Sequence, residues 1–239
     1  MKEKNYNLEL IRMISFIFVI VIHVSNYYCR AYGDITIGEY SFSLLLNLLA
    51  RISVPCFFMI TGALLLGRQE SLHKHAKRIF RFLIVLLVWS VIYMIWNAVY
   101  MEDPYQIKDL LYKPVEQHLW YLYAMIPIYL VLPFFQVMCK GMNLRMERAF
   151  LVVITAAVLF NYISTFFDEK MYYSVPMVGD RIYSYYVFIG YYIYKYRKHV
   201  MKGKMIPAGI FVVCMALNYG LTYAVIHCLH WQQRWHFLC

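Results

Sequence analysis

A chain of 239 residues that is 62% hydrophobic and only 15% charged, with a mean hydropathy of +0.54, is not composed like a soluble domain. Such domains carry about 25% charge and about 45–50% apolar residues. The net charge of +10 would point to nucleic acid in a soluble protein, but here the basic residues flank apolar runs. There they set topology and meet anionic lipid headgroups, so the expected partner is the bilayer and not nucleic acid.

The apolar runs are Leu8–Tyr28, Phe42–Leu66, Ile79–Tyr100, His118–Cys139, Ala149–Phe167, Ile182–Tyr196 and Ile206–Cys228. All but Ile182–Tyr196 reach the about 17–25 residues needed to cross a hydrocarbon core of about 30 Å. With seven crossings and a cytoplasmic N-terminus, fifteen of the 23 basic residues fall on the cytoplasmic side and six outside. Removing the sixth crossing would move Lys195, Arg197, Lys198, Lys202 and Lys204 outside, against the positive-inside rule. The expected fold is therefore an all-α bundle of about seven spans, read as one domain over residues 1–239. The first run is too long for a cleavable signal peptide and carries Arg12.

Arg12 and His23 lie inside the first run. An ionisable side chain in a span costs roughly 2.5–3.5 kcal/mol at the helix centre and by default marks a site or a pathway. Eleven helical steps bring the two to within about 20° of one another, about 16 Å apart along the axis. Glu9, one turn before Arg12, can pair with it at i,i+3 and orient the guanidinium. The structural alternative is that Arg12 snorkels to the interface and His23 bonds a carbonyl near the headgroups.

In the second run, Arg51 lies about 13 Å below the outer end if the helix begins at Phe42, close to the expected depth of His23. Shared with Arg51, a cavity would keep His23 neutral and able to accept a proton. Pro55 interrupts this run, and Pro127 and Pro133 interrupt the fourth. Lys77, Arg78 and Arg81 open the third run, although any first cytoplasmic loop is expected to be basic. The external loop Met101–Gln117 is acidic, and Tyr105 to Tyr112 is a candidate interfacial helix. His118 and Trp120 open the fourth run at the outer interface, where anchoring is the usual role of Trp. Interfacial belts also account for most of the 24 tyrosines, seven of which fall in Ile182–Tyr196.

The remaining histidines, His73, His75, His199, His227, His230 and His236, lie in loops or the tail with no evident pairing. Residues His227 to Cys239 read as a short polar and aromatic tail. The six cysteines have no metal-ligand spacing, so no metal is expected; one outer disulfide among Cys29, Cys228 and Cys239 is geometrically conceivable. The loops are too short to house a soluble catalytic domain, which confines any chemistry to the spans and their mouths.

Taken together, several segments resemble the acyltransferase-3 family of bacterial membrane acyltransferases. Arg12 and His23 are similar to its R-x10-H motif, and Val54-Pro55-Cys56-Phe57-Phe58-Met59-Ile60-Thr61-Gly62 to its V-P-x-F-F-x-x-S-G signature. Lys77-Arg78-Ile79-Phe80-Arg81, His118-Leu119-Trp120-Tyr121-Leu122 and Phe188-Ile189-Gly190-Tyr191-Tyr192 are similar to further family patterns. Glu9 stands where many members have Asp, and Thr61 where Ser is usual. Members carry more spans than the seven read here, so the resemblance implies a C-terminally short chain.

The resemblance implies an enzyme of the bacterial cytoplasmic membrane that O-acylates a surface carbohydrate or its lipid-linked precursor. An acyl group, most often acetyl, would come from cytoplasmic acyl-CoA, a donor substrate, with no bound cofactor. Arg12 and His23 would be catalytic, His23 taking the acceptor proton or carrying the acyl group, with Glu9 and Arg51 in support. Lys77, Arg78 and Arg81 would meet donor phosphates, and His118 and Trp120 the acceptor. Two alternatives are a permease, whose usual pair of related halves is not visible here, and an inactive truncated scaffold.

Overall fold

A computed structural model describes residues 5–101, 105–164, 182–200 and 205–236. Among these residues the regular structure is entirely helical. In chain order the helices are α1 Tyr6–Arg30, α2 Ile37–Ala50, α3 Ser53–Leu65, α4 Leu72–Tyr100, α5 Trp120–Gly141, α6 Leu144–Ser164, α7 Tyr183–Lys195, α8 Arg197–Val200 and α9 Met205–His236. Five segments are long and apolar enough to cross a membrane: Tyr6–Arg30, Ile37–Leu65, Leu72–Tyr100, Gln117–Gly141 and Pro207–His227. They coincide with five of the seven expected runs. The other two expected runs fall on α6, whose first turns carry Arg145, Glu147 and Arg148, and on α7, which has 13 residues. Residues 102–104, in one expected external loop, and 165–181, the end of the fifth expected run with the loop after it, lie outside the described residues.

The chain forms two compact units, one from Met1–Ala63 with Tyr186–Cys239 and the other from Leu64–Tyr185. In the first, α2 packs between the C-terminal end of α1 and α9. Tyr40, Leu44 and Leu48 are buried there against Cys29, Tyr32, Met215, Tyr219 and Tyr223. Gly33 turns the chain between α1 and α2 at φ 100°, a backbone geometry that side chains with a Cβ rarely adopt. Thr36 then starts α2 with a capping box: the Glu39 carboxylate accepts from the Thr36 N–H at 3.0 Å, and the Glu39 N–H donates to the Thr36 hydroxyl at 3.3 Å.

The second expected span is two helices. Its break falls at Arg51 and Ile52, four residues before Pro55, and follows from the proline. Without an N–H, Pro55 cannot bond to the carbonyl of Arg51, but it is tolerated in the first turn of α3, where no donor is needed. Arg51 caps α2 instead, its own N–H bonding to Asn47 O at 3.1 Å. Pro127 and Pro133, by contrast, lie within α5, which continues through both.

Gly62 on α3 and Gly190 on α7 mark a backbone-to-backbone contact. A Cβ built on Gly62 would strike the carbonyl of Val187, and one on Gly190 the backbone of Met59. Small residues let membrane helices approach this closely. Each glycine comes from a different signature segment, so one packing requirement accounts for both.

In the second unit α4 lies on α5, with Phe82 edge-on to Tyr129 at 4.7 Å between ring centroids. Between these helices the chain forms short 3-10 turns, Ile107–Leu111 and Gln117–Leu119, where an interfacial helix was expected over Tyr105 to Tyr112. Tyr105 donates to Lys113 O at 2.6 Å and Tyr123 to Leu110 O at 2.7 Å, which pins the segment back onto itself and onto α5. α9 continues helical through His236, so the expected tail at His227 is largely an extension of the last helix.

Gly190→Ala is expected to lower stability by about 1–3 kcal/mol through overpacking at Met59. Gly209→Ala, where a Cβ meets nothing, is expected to be neutral or slightly stabilising. Melting temperatures of the purified variants check both, and equal values for the two would refute the close contact.

Candidate functional site

On α1 the Arg12 Nη1 atom donates to both carboxylate oxygens of Glu9, at 2.8 and 2.9 Å. The pair is not sunk in protein: the side chains are 43% and 49% exposed. The packed face of the helix centres on Ser15 and Ser25, both buried. Arg12 and His23 are turned about 60° and about 80° from Ser15, and about 140° and about 160° from Ser25. His23 is exposed.

A second polar cluster joins α1 to the break after α2. Ser25 donates to Val21 O at 2.7 Å and accepts from Asn47 Nδ2 at 3.0 Å; the Asn47 carbonyl oxygen accepts from Arg51 Nε at 3.0 Å. Asn47 is buried, and its amide also reaches Ile22 O at 3.4 Å. Arg51 is thus held by its Nε, and it lines a cavity of about 300 Å³ together with Asn26, Asn47, Asn218 and Thr222, walled by Tyr40 and Ile226. On the other flank of Ser25 a groove of about 390 Å³ is lined mainly by apolar side chains, among them Ile20, Val24, Phe42 and Leu46.

His23 is not among the residues lining the Arg51 cavity, contrary to the expected sharing. The helix places Asn26 and Cys29 there, and His23 is turned about 60° and about 120° away from them. Arg51 is also farther along its helix than expected, because α2 begins at Ile37 and not at Phe42.

The basic cluster at the start of α4 divides. Lys77 and Arg81 are exposed, whereas Arg78 is part-buried, donates to Glu70 at 2.7 Å and lies over the Tyr129 ring at 5.8 Å. Burial raises the Glu70 carboxyl, but the bond and charge from Arg78, with His75 and Arg68, outweigh it and hold the group below its ordinary value. His75, expected in a loop without a partner, is on α4 and only 3% exposed. Its Nε2 lies 3.2 Å from Gln136 Oε1, and Gln136 Nε2 donates to Leu65 O at 2.7 Å. The recoverable signal was spacing: His75, Phe82 and Leu86 recur at the period of one helix face if α4 starts at Leu72.

At the other end of α4 the His118 ring packs edge-on to Tyr93 at 4.9 Å, and Trp120 lies 5.5 Å from Tyr183. They belong to neighbouring aromatic contacts in one unit. Among the described residues no group of His, Cys, Asp and Glu could hold a metal, and Cys29, Cys56, Cys139 and Cys214 are free thiols. Cys239, one of the three cysteines considered for an outer disulfide, and the Cys228 side chain lie outside the description.

A family model described as an acyltransferase domain, that of the acyltransferase-3 family, matches residues 5–239. Neither the curated proteins nor the solved structures gave a match.

A carboxyl held low contributes stability that is complete above its ordinary value of 4.5 and is lost as pH falls through the folded-state value. The gap in melting temperature between the native chain and Glu70→Gln is therefore expected to be flat from about pH 7 to about pH 5 and to narrow in more acidic solution. A gap that widens on acidification would contradict the Glu70–Arg78 pairing.

Proposed function

The chain belongs to the acyltransferase-3 family and is a multi-pass membrane acyltransferase, and on that premise we propose that it moves an acyl group, most often acetyl, from cytoplasmic acyl-CoA to a hydroxyl of a surface carbohydrate or its lipid-linked precursor. In this reading it resides in the bacterial cytoplasmic membrane, with its N-terminus inside. The observation that carries the proposal is the arrangement on α1: Arg12 fixed by Glu9 near one end, and His23 on the same strip of the helix about 16 Å further along.

The chemistry assigns His23 as general base. It takes the proton of the acceptor hydroxyl as that oxygen attacks the thioester carbonyl; the C–S bond breaks and the thiolate leaves, to be protonated from solvent. Arg12 stabilises negative charge on the donor side, and Glu9 keeps its guanidinium from swinging free. Lys77 and Arg81, exposed on α4, are the cations open to donor phosphates, whereas Arg78 serves by holding the loop that carries Glu70. His118 and Trp120, among aromatic neighbours, suit the acceptor, since a sugar face can stack on such rings. The break between α2 and α3 is a feature a permease would share, but family membership favours transfer.

Transfer of labelled acetyl from acetyl-CoA in membranes containing the chain is expected to fall at least about 100-fold in His23→Ala, the usual contribution of a general base. Arg12→Lys, which keeps charge but loses the fork, is expected to fall less. Equal label in carbohydrate from the native chain and His23→Ala at matched abundance would sink the catalytic assignment.

A further inference from the structure

The cavity beside Arg51 has an unusual balance of hydrogen-bonding groups. Asn47 is saturated: its oxygen accepts from Arg51, and its amide donates to Ser25 and Ile22 O. Asn218 accepts from the Thr222 hydroxyl at 3.3 Å, which leaves its two N–H groups as donors. The Tyr40 ring is 1% exposed and its hydroxyl has no partner. The Nη1 and Nη2 atoms of Arg51 find no acceptor among the described residues, and the amide of Asn26 has none either. No carboxylate lines the cavity.

The unused capacity is thus mostly donor capacity, around one positive charge, inside a segment long and apolar enough to cross a membrane. A guanidinium at that depth is costly unless paired, and its planar fork matches two oxygens of one anion. Of these groups the Tyr40 hydroxyl is buried, and a buried polar group left without a partner costs about 1–3 kcal/mol, whereas Arg51 and Asn218 are exposed along the cavity. A neutral sugar hydroxyl would bring as many donors as acceptors; a phosphate monoester or diester brings acceptors and negative charge. The volume, about 300 Å³, is at the small end of small-molecule sites, which range over about 300–1,000 Å³.

We infer that this cavity is an oxyanion site that takes a phosphate group, with Arg51 bidentate to it and Tyr40, Asn26 and Asn218 completing its shell. The Ser25–Asn47 link holds Arg51 by the one nitrogen that the anion does not need. The phosphate comes either from a soluble sugar phosphate or from a lipid headgroup, and the site does not depend on the acyl-transfer reading for its chemistry.

The test uses the full chain purified in detergent, titrated with glucose 1-phosphate, inorganic phosphate and glucose at constant ionic strength, with melting temperature as the readout. A parallel arm places the chain in nanodiscs of phosphatidylcholine with or without phosphatidylglycerol and counts retained lipid by native mass spectrometry. Saturable stabilisation by the two phosphates but not by glucose identifies a soluble source; selective retention of phosphatidylglycerol identifies a lipid source. In either case Arg51→Gln is expected to weaken binding at least about tenfold, the scale of a charge-assisted contact. Tyr40→Phe removes a hydroxyl without a partner, so it is expected to weaken binding while leaving the unliganded melting temperature unchanged or higher. It therefore guards against a folding defect in the arginine variant.

No response to either phosphate or anionic lipid, a response to glucose equal to that of its phosphate, or undiminished binding by Arg51→Gln would overturn the site. Acetyl transfer measured on the same preparations separates the two claims. Phosphate binding without transfer counts against the enzyme reading alone, and transfer without phosphate binding counts against this site alone.

Discussion

The proline at position 55 cannot supply a hydrogen bond to the carbonyl of Arg51, and much of the first unit follows from that missing donor. The helix breaks there, where α5 runs on through its two prolines, so α2 and α3 are separate rods and Arg51 stands at their junction. A charged residue at a helix end has freedom that one in a continuous span lacks. It is then tied down through Nε to Asn47, and through Asn47 to Ser25 on α1. In an apolar medium such a chain of hydrogen bonds also fixes the axial position of α2 on α1, because sliding by one turn would strand two buried polar groups.

The second unit uses polar residues in the same manner but with a different outcome. Gln136 bridges the end of α3 at Leu65 to His75 on α4, and Glu70 with Arg78 fastens the intervening loop. Basic residues adjacent in sequence therefore have unlike duties. Arg78 is enclosed by a carboxylate and a tyrosine ring, while Lys77 and Arg81 present their charges outward. Helical geometry makes the division: neighbours differ by about 100° in direction, so a run of basic residues on a packed helix cannot all serve one ligand.

Composition and hydrophobic run length sufficed for the fold class, and five segments coincide with runs visible by eye. The Glu9–Arg12 contact was legible because i,i+3 spacing within a helix leaves few other choices. The missed features depend on where helices begin. α4 starts at Leu72, seven residues ahead of its apolar run, which turns His75 from a loop residue into a buried one. α2 starts at Ile37, at a capping box outside the hydrophobic window. The cavity around Arg51 draws Asn218 and Thr222 from nearly 170 residues away, a pairing that no local periodicity encodes. Gly62 and Gly190 could be recognised as signature residues, but only packing explains why neither tolerates a Cβ.

The first unit is assembled from the two ends of the sequence, with Leu64–Tyr185 inserted between them. During synthesis at about 5–20 residues per second, α1 to α3 are threaded into the bilayer several seconds before α7 and α9 exist. For that interval Tyr40 lacks Tyr223, and Gly62 lacks the backbone of Val187. The link from Ser25 through Asn47 to Arg51 needs only α1 and α2, so it is available from the outset and holds the guanidinium in place while its later neighbours are still being made. That polar tether is as much a provision for biogenesis as a feature of the finished protein.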